Sequence, residues 1–315
     1  KVEYTSADAF VQKLEAAAPT LPVYDGELYL ELHRGTLTAK QQIKKNNRMA
    51  ENLLRMLELC LTRSAVATHT PADGTALRPL WNTLLVNQFH DILPGSCIAA
   101  ANDRSLHDMA EMLHTGSELL RSWFAPAQNC YTMLNPLDEP CRDVFYLPQI
   151  ASGFIAQEPG VTLQNVVLAD GTAATAVYGL ERPALGAAVL HFVPGEQPAQ
   201  TSRFVYDGKT LTTPLLQVQL DELGRITSLV TRADGMQWAD GPMNTLLMAE
   251  DVSAGWDGWD IDADCMMKLQ PAARLTKQTV TADGPQEFRL HSRYELGTAT
   301  ILEQDMIFRA VSREE

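Results

Sequence analysis

The stretch "TAKQQIKKNNRMAENLLRMLELCL" (residues 38–61) decides the fold of the first half of the chain. Its apolar residues return every three or four positions, the spacing that places side chains on one face of an α-helix. The apolar stripe consists of Ile43, Ala50, Leu53, Leu54, Leu57, Cys60 and Leu61, and a face rich in Lys, Arg and Asn lies opposite. Such a stripe must be buried against other elements, so this stretch predicts a helical domain.

Two more helices are predicted after the break "THTPADGT" (68–75). One runs from about Leu77 to Asp91, and the other runs from about Ile98 to Phe124. Short connections between amphipathic helices favour antiparallel packing. The sequence therefore predicts an antiparallel bundle of three helices.

The region before the bundle has a different pattern. Residues 6–17 predict a helix capped by Thr5 or Ser6, and "GELYLELHRG" (26–35) alternates like a short strand that ends in a loop. The chain starts with Lys1 rather than Met and stops within a strand-like stretch. We therefore expect it to be a piece of a longer protein.

Strand-like runs separated by turn signals dominate after Pro126. These runs are "DVFYLP", "VTLQNVVL", "AAVLHFVP", "LLQVQL", "ITSLVTR" and "EFRLHSRYEL". Asp-Gly pairs separate several of them, at positions 170–171, 207–208, 234–235 and 283–284. Many short strands with regular turns predict a mostly antiparallel β-sandwich. The expected class is thus α+β multidomain.

Composition excludes several classes of function. The net charge of −14 argues against a nucleic-acid partner, which would need a basic face, and no run approaches the roughly 18 apolar residues of a membrane span. Patterns typical of serine hydrolases, P-loop enzymes and nicotinamide-binding enzymes are missing from the sequence. Five scattered cysteines without CxxC spacing predict neither disulfides nor a structural zinc site, which favours the cytoplasm.

The first candidate site is the polar end of the second predicted helix, "NQFHDILPG" (87–95). Helical spacing would place His90 and Asp91 on a polar strip with Thr83 and Asn87. A neutral imidazole is a good zinc ligand, and a neighbouring carboxylate can orient a ligand or bind sugar hydroxyls. The alternative is that His90 and Asp91 only cap the helix, since one His is weak evidence for a metal.

Two further stretches are candidates. In "LELHRGT" (30–36), a predicted strand ends at His33 and Arg34, as strands that line clefts often do; otherwise Thr36 or Thr38 caps the long helix and Arg34 is solvated. In "WDGWDIDAD" (256–264), the alternating Asp residues lack the Gly and Glu of a calcium-binding EF-hand loop. This loop either faces a carbohydrate or another domain, or it is a tryptophan-rich packing corner.

Several stretches, in order, resemble glycoside hydrolase family 38, the α-mannosidases, and especially its cytosolic and bacterial branch. They are "GELYLELHRGTLTAKQQIKKNNRMAENLLRMLEL", "LWNTLLVNQFHDILPGSCI", "MLNPL", "LDELGRITSLV" and "WDGWDID". The resemblance implies an α/β catalytic domain, a three-helix bundle and β-sandwich domains. Residues 1–34 would be a remnant of the catalytic domain, residues 35–125 the bundle, and residues 126–315 a sandwich truncated at its C-terminal end.

The resemblance also implies a retaining, zinc-dependent hydrolysis of terminal α-mannosides in oligosaccharide catabolism, with zinc holding the mannose 2- and 3-hydroxyls. His90 would be a zinc ligand, Asp91 would bind sugar hydroxyls, and His33 and Arg34 would approach the sugar. The nucleophile, the acid/base and the other zinc ligands would lie upstream, so no catalytic residue is assigned here and the chain alone should be inactive.

The implied partners are a mannose-containing oligosaccharide and the missing N-terminal catalytic domain. A homo-oligomer is compatible with the sequence, whereas nucleic acid and membrane are not expected. Two alternatives remain open: a non-enzymatic carbohydrate-binding or interaction module, and another zinc glycosidase or metal hydrolase that shares the bundle.

Overall fold

A computed structural model of the protein describes residues 2–26, 31–124, 128–262 and 264–311. Its longer helices all precede its strands, which confirms the α+β class. The helices are α1 (Ala7–Ala17), α2 (Gln41–Thr68), α3 (Leu77–Asn87), α4 (Ala99–Ser122) and the short α5 (Cys265–Lys268), with 3-10 segments at Ala18–Thr20 and Glu31–Leu37.

Helix α1 begins one residue later than predicted, with Ser6, one of the two expected capping residues, as its N-cap. The Ser6 side chain accepts a hydrogen bond from the Ala9 backbone N–H at 3.2 Å, which satisfies one of the free donors of the first turn. None of the helix's residues is buried by the described chain, and Phe10, Val11 and Leu14 are exposed. Packing within this part of the molecule therefore adds little to the stability of α1.

Helices α2, α3 and α4 share one apolar core. Its fully buried members include Leu54 and Leu57 from α2, Leu84 from α3 and Met109 from α4. Each such side chain stabilises the fold by about 1.5–3 kcal/mol relative to exposure. A common core is what the predicted bundle requires, and the antiparallel order of the helices stays a prediction.

Helix α3 ends four residues earlier than predicted. It stops at Asn87, and turns occupy residues 88–95, with Ile92 N–H and Leu93 N–H both bonded to the Phe89 carbonyl. The predicted polar strip is therefore wrong: Asn87 lies on the helix, while His90 and Asp91 lie on the turn.

The predicted strand at 26–35 is also wrong where the structure describes it. Residues Glu31–Leu37 form a 3-10 helix, and residues 27–30 lie outside the described part of the chain. A single strand without a neighbour would leave its backbone groups unpaired. Local bonds satisfy them instead, such as Thr36 Oγ1 to the His33 carbonyl at 2.6 Å and Ala39 N–H to the Gly35 carbonyl at 2.8 Å.

The second half of the chain forms antiparallel sheets from short strands. The strands are β1 (Cys130–Asn135), β2 (Phe145–Pro148), β3 (Phe154–Ala156), β4 (Thr162–Val167), β5 (Ala173–Tyr178), β6 (Gly186–Pro194), β7 (Val205–Tyr206), β8 (Thr210–Thr212), β9 (Leu216–Leu220), β10 (Ile226–Thr231), β11 (Leu247–Met248), β12 (Gln270–Pro271), β13 (Ala273–Asp283), β14 (Glu287–Leu296) and β15 (Thr300–Arg309). Strands β2, β4, β6, β9, β10 and β14 confirm the six predicted runs.

The sheets share apolar cores. Sheet β1-β6-β3 and sheet β2-β5-β4 meet around Leu190, Phe192 and Val177, while sheet β10-β9-β8-β7 meets sheet β13-β14-β15 around Val218 and Phe288. Cores shared in pairs are compatible with sheets packed face to face, and the sandwich arrangement itself stays a prediction. Strands β11 and β12 form a separate two-stranded sheet.

Two predictions about chemistry and environment can be compared with this fold. All five cysteines are free thiols, as their scattered positions predicted. Across the described ranges, none of the helices combines the length and apolar character that crossing a membrane requires.

Candidate functional site

His90 and Asp91 project into solvent from the turn between α3 and α4. Their side chains are 75% and 51% exposed, and His90 Nε2 lies 3.6 Å from Asp91 Oδ2. The Phe89 ring packs on the imidazole with 4.4 Å between ring centroids. The pair thus offers one imidazole and one carboxylate to something outside the described chain, and within the described residues neither side chain caps α3 or α4.

Lys44 ties the backbone of this turn to the start of α2. Its ammonium donates to the carbonyls of Ala39, Leu93 and Pro94, at 2.5, 3.0 and 3.1 Å. An ammonium has three N–H donors, so these three acceptors use all of them. Partial burial lowers the pKa of Lys44 from its ordinary value, since loss of water disfavours the charged form.

A second polar contact holds the beginning of the turn. Gln88 Nε2 donates to Asn47 Oδ1 and to Glu51 Oε1, both at 3.0 Å, and Asn47 Nδ2 donates to the same Glu51 oxygen at 3.1 Å. These bonds begin two residues before His90, while the bonds of Lys44 end three residues after Asp91. The turn is therefore fixed on both sides of the exposed pair.

Gly95 closes the turn against the segment before α2. Its φ of +85° is a conformation that favours glycine. A Cβ atom at this position would lie 2.8 Å from the Ala39 carbonyl oxygen and 2.9 Å from Cβ of Lys40, the residue just before α2. Backbone therefore approaches backbone here more closely than any side chain would allow.

The 3-10 helix with His33 and Arg34 packs against the tryptophan loop, residues 256–262. The rings of His33 and Trp259 meet edge to face with 5.0 Å between centroids, and Gly35 N–H donates to the Trp259 carbonyl at 3.0 Å. Arg34 is half-buried on the same helix. The tryptophan loop is thus a contact between the α-helical and β-rich parts of the chain, one of the roles that its sequence left open.

The tryptophan loop also reaches the far side of the turn. The Ser96 Cα lies 3.8 Å from the position that a Cβ on Gly258 would take, and Ser96 Oγ lies 3.5 Å from the Asp91 carbonyl oxygen. Trp256 is 80% exposed and adopts a φ of +61°. Three stretches singled out in the sequence therefore meet: His33 with Trp259, and the His90–Asp91 turn with Gly258.

The described residues do not form a complete metal site. They contain no group of three or more His, Cys, Asp and Glu side chains placed to hold one ion. Zinc in proteins takes three or four ligands, and His90 with Asp91 offers at most two. The exposed imidazole fits the role of one ligand in a site whose other ligands lie elsewhere.

The sequence did not identify the residues that hold the turn. Lys44 and Asn47 belonged to the predicted Lys-, Arg- and Asn-rich outer face of α2, and Glu51 and Gln88 were given no role. Positions 44, 47 and 51 do recur at helical spacing along one flank of the apolar stripe. That spacing indicates that the three side chains lie on one side of the helix, but it does not indicate which residues they bind.

Comparison with known proteins identifies the family. The chain matches the alpha mannosidase middle domain over residues 31–125 and the glycosyl hydrolases family 38 C-terminal domain over residues 211–313. The human protein Alpha-mannosidase 2C1 is 32% identical over 279 residues, which cover 83% of this chain and 24% of that protein. The chain belongs to glycosyl hydrolase family 38. This confirms the resemblance drawn from the quoted stretches.

Two further comparisons concern a shorter stretch of sequence and the fold. Alpha-mannosidase G of Dictyostelium discoideum is 39% identical over 98 residues, or 31% of this chain and 9% of that protein. The crystal structure of an alpha-mannosidase from Enterococcus faecalis V583 matches with a TM-score of 0.58 at 12% identity, covering 90% of this chain and 39% of that one, which shows the fold alone. The chain spans about a quarter (24%) of its human relative.

Membership of family 38 places the candidate site within a known domain type. The match to the middle domain includes the 3-10 helix, α2, α3, the turn and α4, and thus His33, Arg34, His90 and Asp91. The tryptophan loop lies within the match to the C-terminal domain. The contact between Gly35 and Trp259 therefore joins the two matched domains.

Proposed function

We propose that this chain is the middle and C-terminal part of a zinc-dependent, retaining α-mannosidase that hydrolyses terminal α-mannosides in oligosaccharide breakdown. In this proposal the nucleophile, the acid/base and the remaining zinc ligands come from sequence that precedes Lys1. The enzyme acts in the cytoplasm and needs no nucleic acid or membrane. The chain alone, lacking both catalytic carboxyl groups, is inactive.

The proposal rests on one observation above the others: His90 and Asp91 are exposed side chains on a backbone that is fixed on both sides. An imidazole that must coordinate a metal has to keep a nitrogen lone pair available. Among the described residues, the ring nitrogens of His90 come no closer to a partner than the 3.6 Å between Nε2 and Asp91 Oδ2. Bound zinc would supply a positive charge that holds sugar hydroxyls. The family's human relative is named an α-mannosidase, which makes a mannoside the expected ligand.

The other predicted site residues take supporting roles. Asp91 accepts hydrogen bonds from sugar hydroxyls through a carboxylate that remains half exposed. His33 and Arg34 line the same subsite from the 3-10 helix, with His33 held by the Trp259 ring. None of the four residues transfers a proton or attacks the sugar.

Activity and zinc content of the full-length protein test the proposal. We expect His90→Ala to remove both zinc and hydrolysis of an aryl α-mannoside, because a lost ligand leaves the ion with an incomplete set. Asp91→Asn should keep the zinc and lose most of the activity. His107→Ala is the control, because His107 is an exposed histidine on α4 whose contact is with Glu111 on the same helix.

The same assay contains the outcomes that contradict the proposal. Full zinc stoichiometry in His90→Ala would refute the ligand assignment. Hydrolysis by the 315-residue chain alone, abolished by His90→Ala, would refute its inactivity. A protein that binds mannosides without hydrolysing them would support the non-enzymatic alternative.

A further inference from the structure

The turn that carries His90 and Asp91 has few internal supports. Within residues 88–95 the backbone makes bonds from Ile92, Leu93 and Gly95 to carbonyls three or four residues earlier. Such isolated turns are weak, since each bond contributes only about 0.5–1.5 kcal/mol to stability. A ligand that must hold its place within a fraction of an ångström needs a stronger external constraint.

Lys44 supplies that constraint from the first turn of α2. Two of its three acceptors, the Leu93 and Pro94 carbonyls, belong to the turn, and the third, Ala39, belongs to the segment that Gly95 touches. Hydrogen bonds from a charged donor are roughly twice as strong as neutral ones. One side chain thus joins the turn, the segment before α2 and α2 itself.

The same geometry excludes a direct chemical role for this lysine. All three N–H donors of the ammonium are used by carbonyl oxygens. No donor remains for a sugar hydroxyl or for the Asp91 carboxylate. Any effect of Lys44 on a reaction must therefore pass through the position of the turn.

We propose that Lys44 is a positioning residue of the mannoside site: its bonds to Leu93, Pro94 and Ala39 fix the His90–Asp91 turn in the orientation that metal and sugar require. The expected effect on zinc and sugar binding rests on the proposed function. The fixing of the turn itself rests on the three hydrogen bonds of Lys44. Groups that orient metal ligands typically change metal affinity or activity by roughly 10- to 100-fold when removed.

The test compares Lys44→Met with Lys45→Met in the full-length protein. Methionine keeps an unbranched stem without the donors, and Lys45 is the exposed neighbour on the same helix turn. Hydrogen–deuterium exchange, zinc affinity and kcat/KM are measured at a temperature where thermal unfolding shows both variants to be folded. We expect faster exchange confined to residues 88–95, and zinc affinity and kcat/KM at least about tenfold lower than in Lys45→Met.

A purely stabilising role would give a different result. It would lower Tm while leaving zinc affinity and kcat/KM of the folded protein within about twofold of the control, and that outcome overturns the proposal. If Lys44→Met does not fold, Lys44→Arg decides in its place. The planar guanidinium keeps the charge but cannot direct three donors around one atom, so the same local loosening and the same loss are expected.

The two proposals fail in distinguishable ways. A wild-type protein without zinc and without mannosidase activity overturns the proposed function. In that case the exchange measurement still decides the structural part of the inference. Unchanged exchange over residues 88–95 in Lys44→Met overturns it, and faster exchange confined to that turn supports it.

Discussion

Two polar regions of the molecule differ in how many of their ionisable side chains remain accessible to a ligand. On the turn, His90 and Asp91 have exposed side chains on a fixed backbone. Between the sheets, the buried cluster consists of Glu287, Arg289, Tyr146, Tyr178 and Asp305. The side chains of its two central members, Glu287 and Arg289, are 0% and 3% exposed. Both regions hold ionisable groups, but only the turn presents them to an outside partner.

The buried cluster uses the hydrogen-bonding capacity of its central carboxylate. Glu287 Oε1 accepts from Arg289 Nε and Nη2 at 3.0 and 2.9 Å, and Glu287 Oε2 accepts from the Tyr146 and Tyr178 hydroxyls at 2.8 Å. Burial, and then the charge of Glu287, raise the pKa of Tyr178, so this phenol stays neutral and donates. The arrangement ties β2 and β5 to β14.

The comparison teaches that partners, not residue types, separate a purely structural charge from one that can still bind a ligand. A buried carboxylate with four donors has no capacity left for a ligand. A half-exposed carboxylate such as Asp91, beside an exposed imidazole, keeps that capacity. Experiments that break the two regions should therefore have different consequences: lost stability for the cluster and lost function for the turn.

The largest expected effect is on the buried cluster. Arg289→Met leaves Glu287 buried without its charged partner, and breaking one side of a buried pair lowers stability by about 3–5 kcal/mol. Arg293→Met on the same strand removes a 44% exposed guanidinium whose partner is Glu303, and exposed pairs contribute less than about 1 kcal/mol. Midpoints of urea unfolding measure both. Equal shifts would contradict the structural role assigned to the buried cluster.

A smaller effect is expected where the turn meets the segment before α2. Gly95→Ala adds a Cβ at φ +85° that collides with the Ala39 carbonyl, so we expect a loss of about 2–3 kcal/mol. Gly171→Ala is the matched control, because its φ is +83° and nothing lies within 4 Å of the added atom. It should lose only about 1 kcal/mol through the backbone conformation.

The difference in stability loss between Gly95→Ala and Gly171→Ala measures the cost of the close approach of Gly95 to Ala39. In the full-length protein, Gly95→Ala should also lower zinc affinity, because the turn must move, while Gly171→Ala should not. If both variants lose the same stability, Gly95 matters only for its backbone angle. The turn would then tolerate a side chain, contrary to the contact seen with Ala39.

Regular elements could be predicted from the sequence, because their signals are local. The stripe through Leu54 and Leu57 is buried as expected, and "EFRLHSRYEL" forms β14 from Glu287 to Leu296. Alternation alone did not show that β14 is buried on both faces. Phe288 and Leu290 enter one core, while Glu287 and Arg289 are buried on the other face by their hydrogen bonds.

The candidate site could be predicted only in part, because its geometry depends on long-range contacts. The sequence pointed to His90, Asp91 and His33, but it extended α3 over the turn. Lys44 lies 49 and 50 positions along the chain from Leu93 and Pro94, the two turn residues whose carbonyls it binds. No periodicity in one segment can specify a bond of that kind, so the residues that hold the turn emerge only from the folded chain.

The smallest expected effect concerns a histidine at the edge of the buried cluster, to which the sequence assigned no role. On β14, His291 Nδ1 lies 2.7 Å from Asp305 Oδ1, and its Nε2 lies 2.6 Å from Glu303 Oε2. The hydrogen bond to Asp305, followed by that to Glu303, raises the pKa of His291 above its ordinary value of 6.5. The folded protein thus binds this proton more tightly than the unfolded chain does.

A raised histidine pKa fixes the sign of the pH dependence. The contribution of His291 to the free energy of unfolding is complete below about pH 6.5 and is lost as pH rises through the raised folded-state pKa. His291→Gln should therefore destabilise the protein more at about pH 5.5 than at about pH 8, as measured by urea unfolding at both pH values. A His291→Gln effect that does not change between the two pH values would mean that the two carboxylates do not hold the protonated ring. Any pH dependence of the stability would then come from groups outside the buried cluster and its edge.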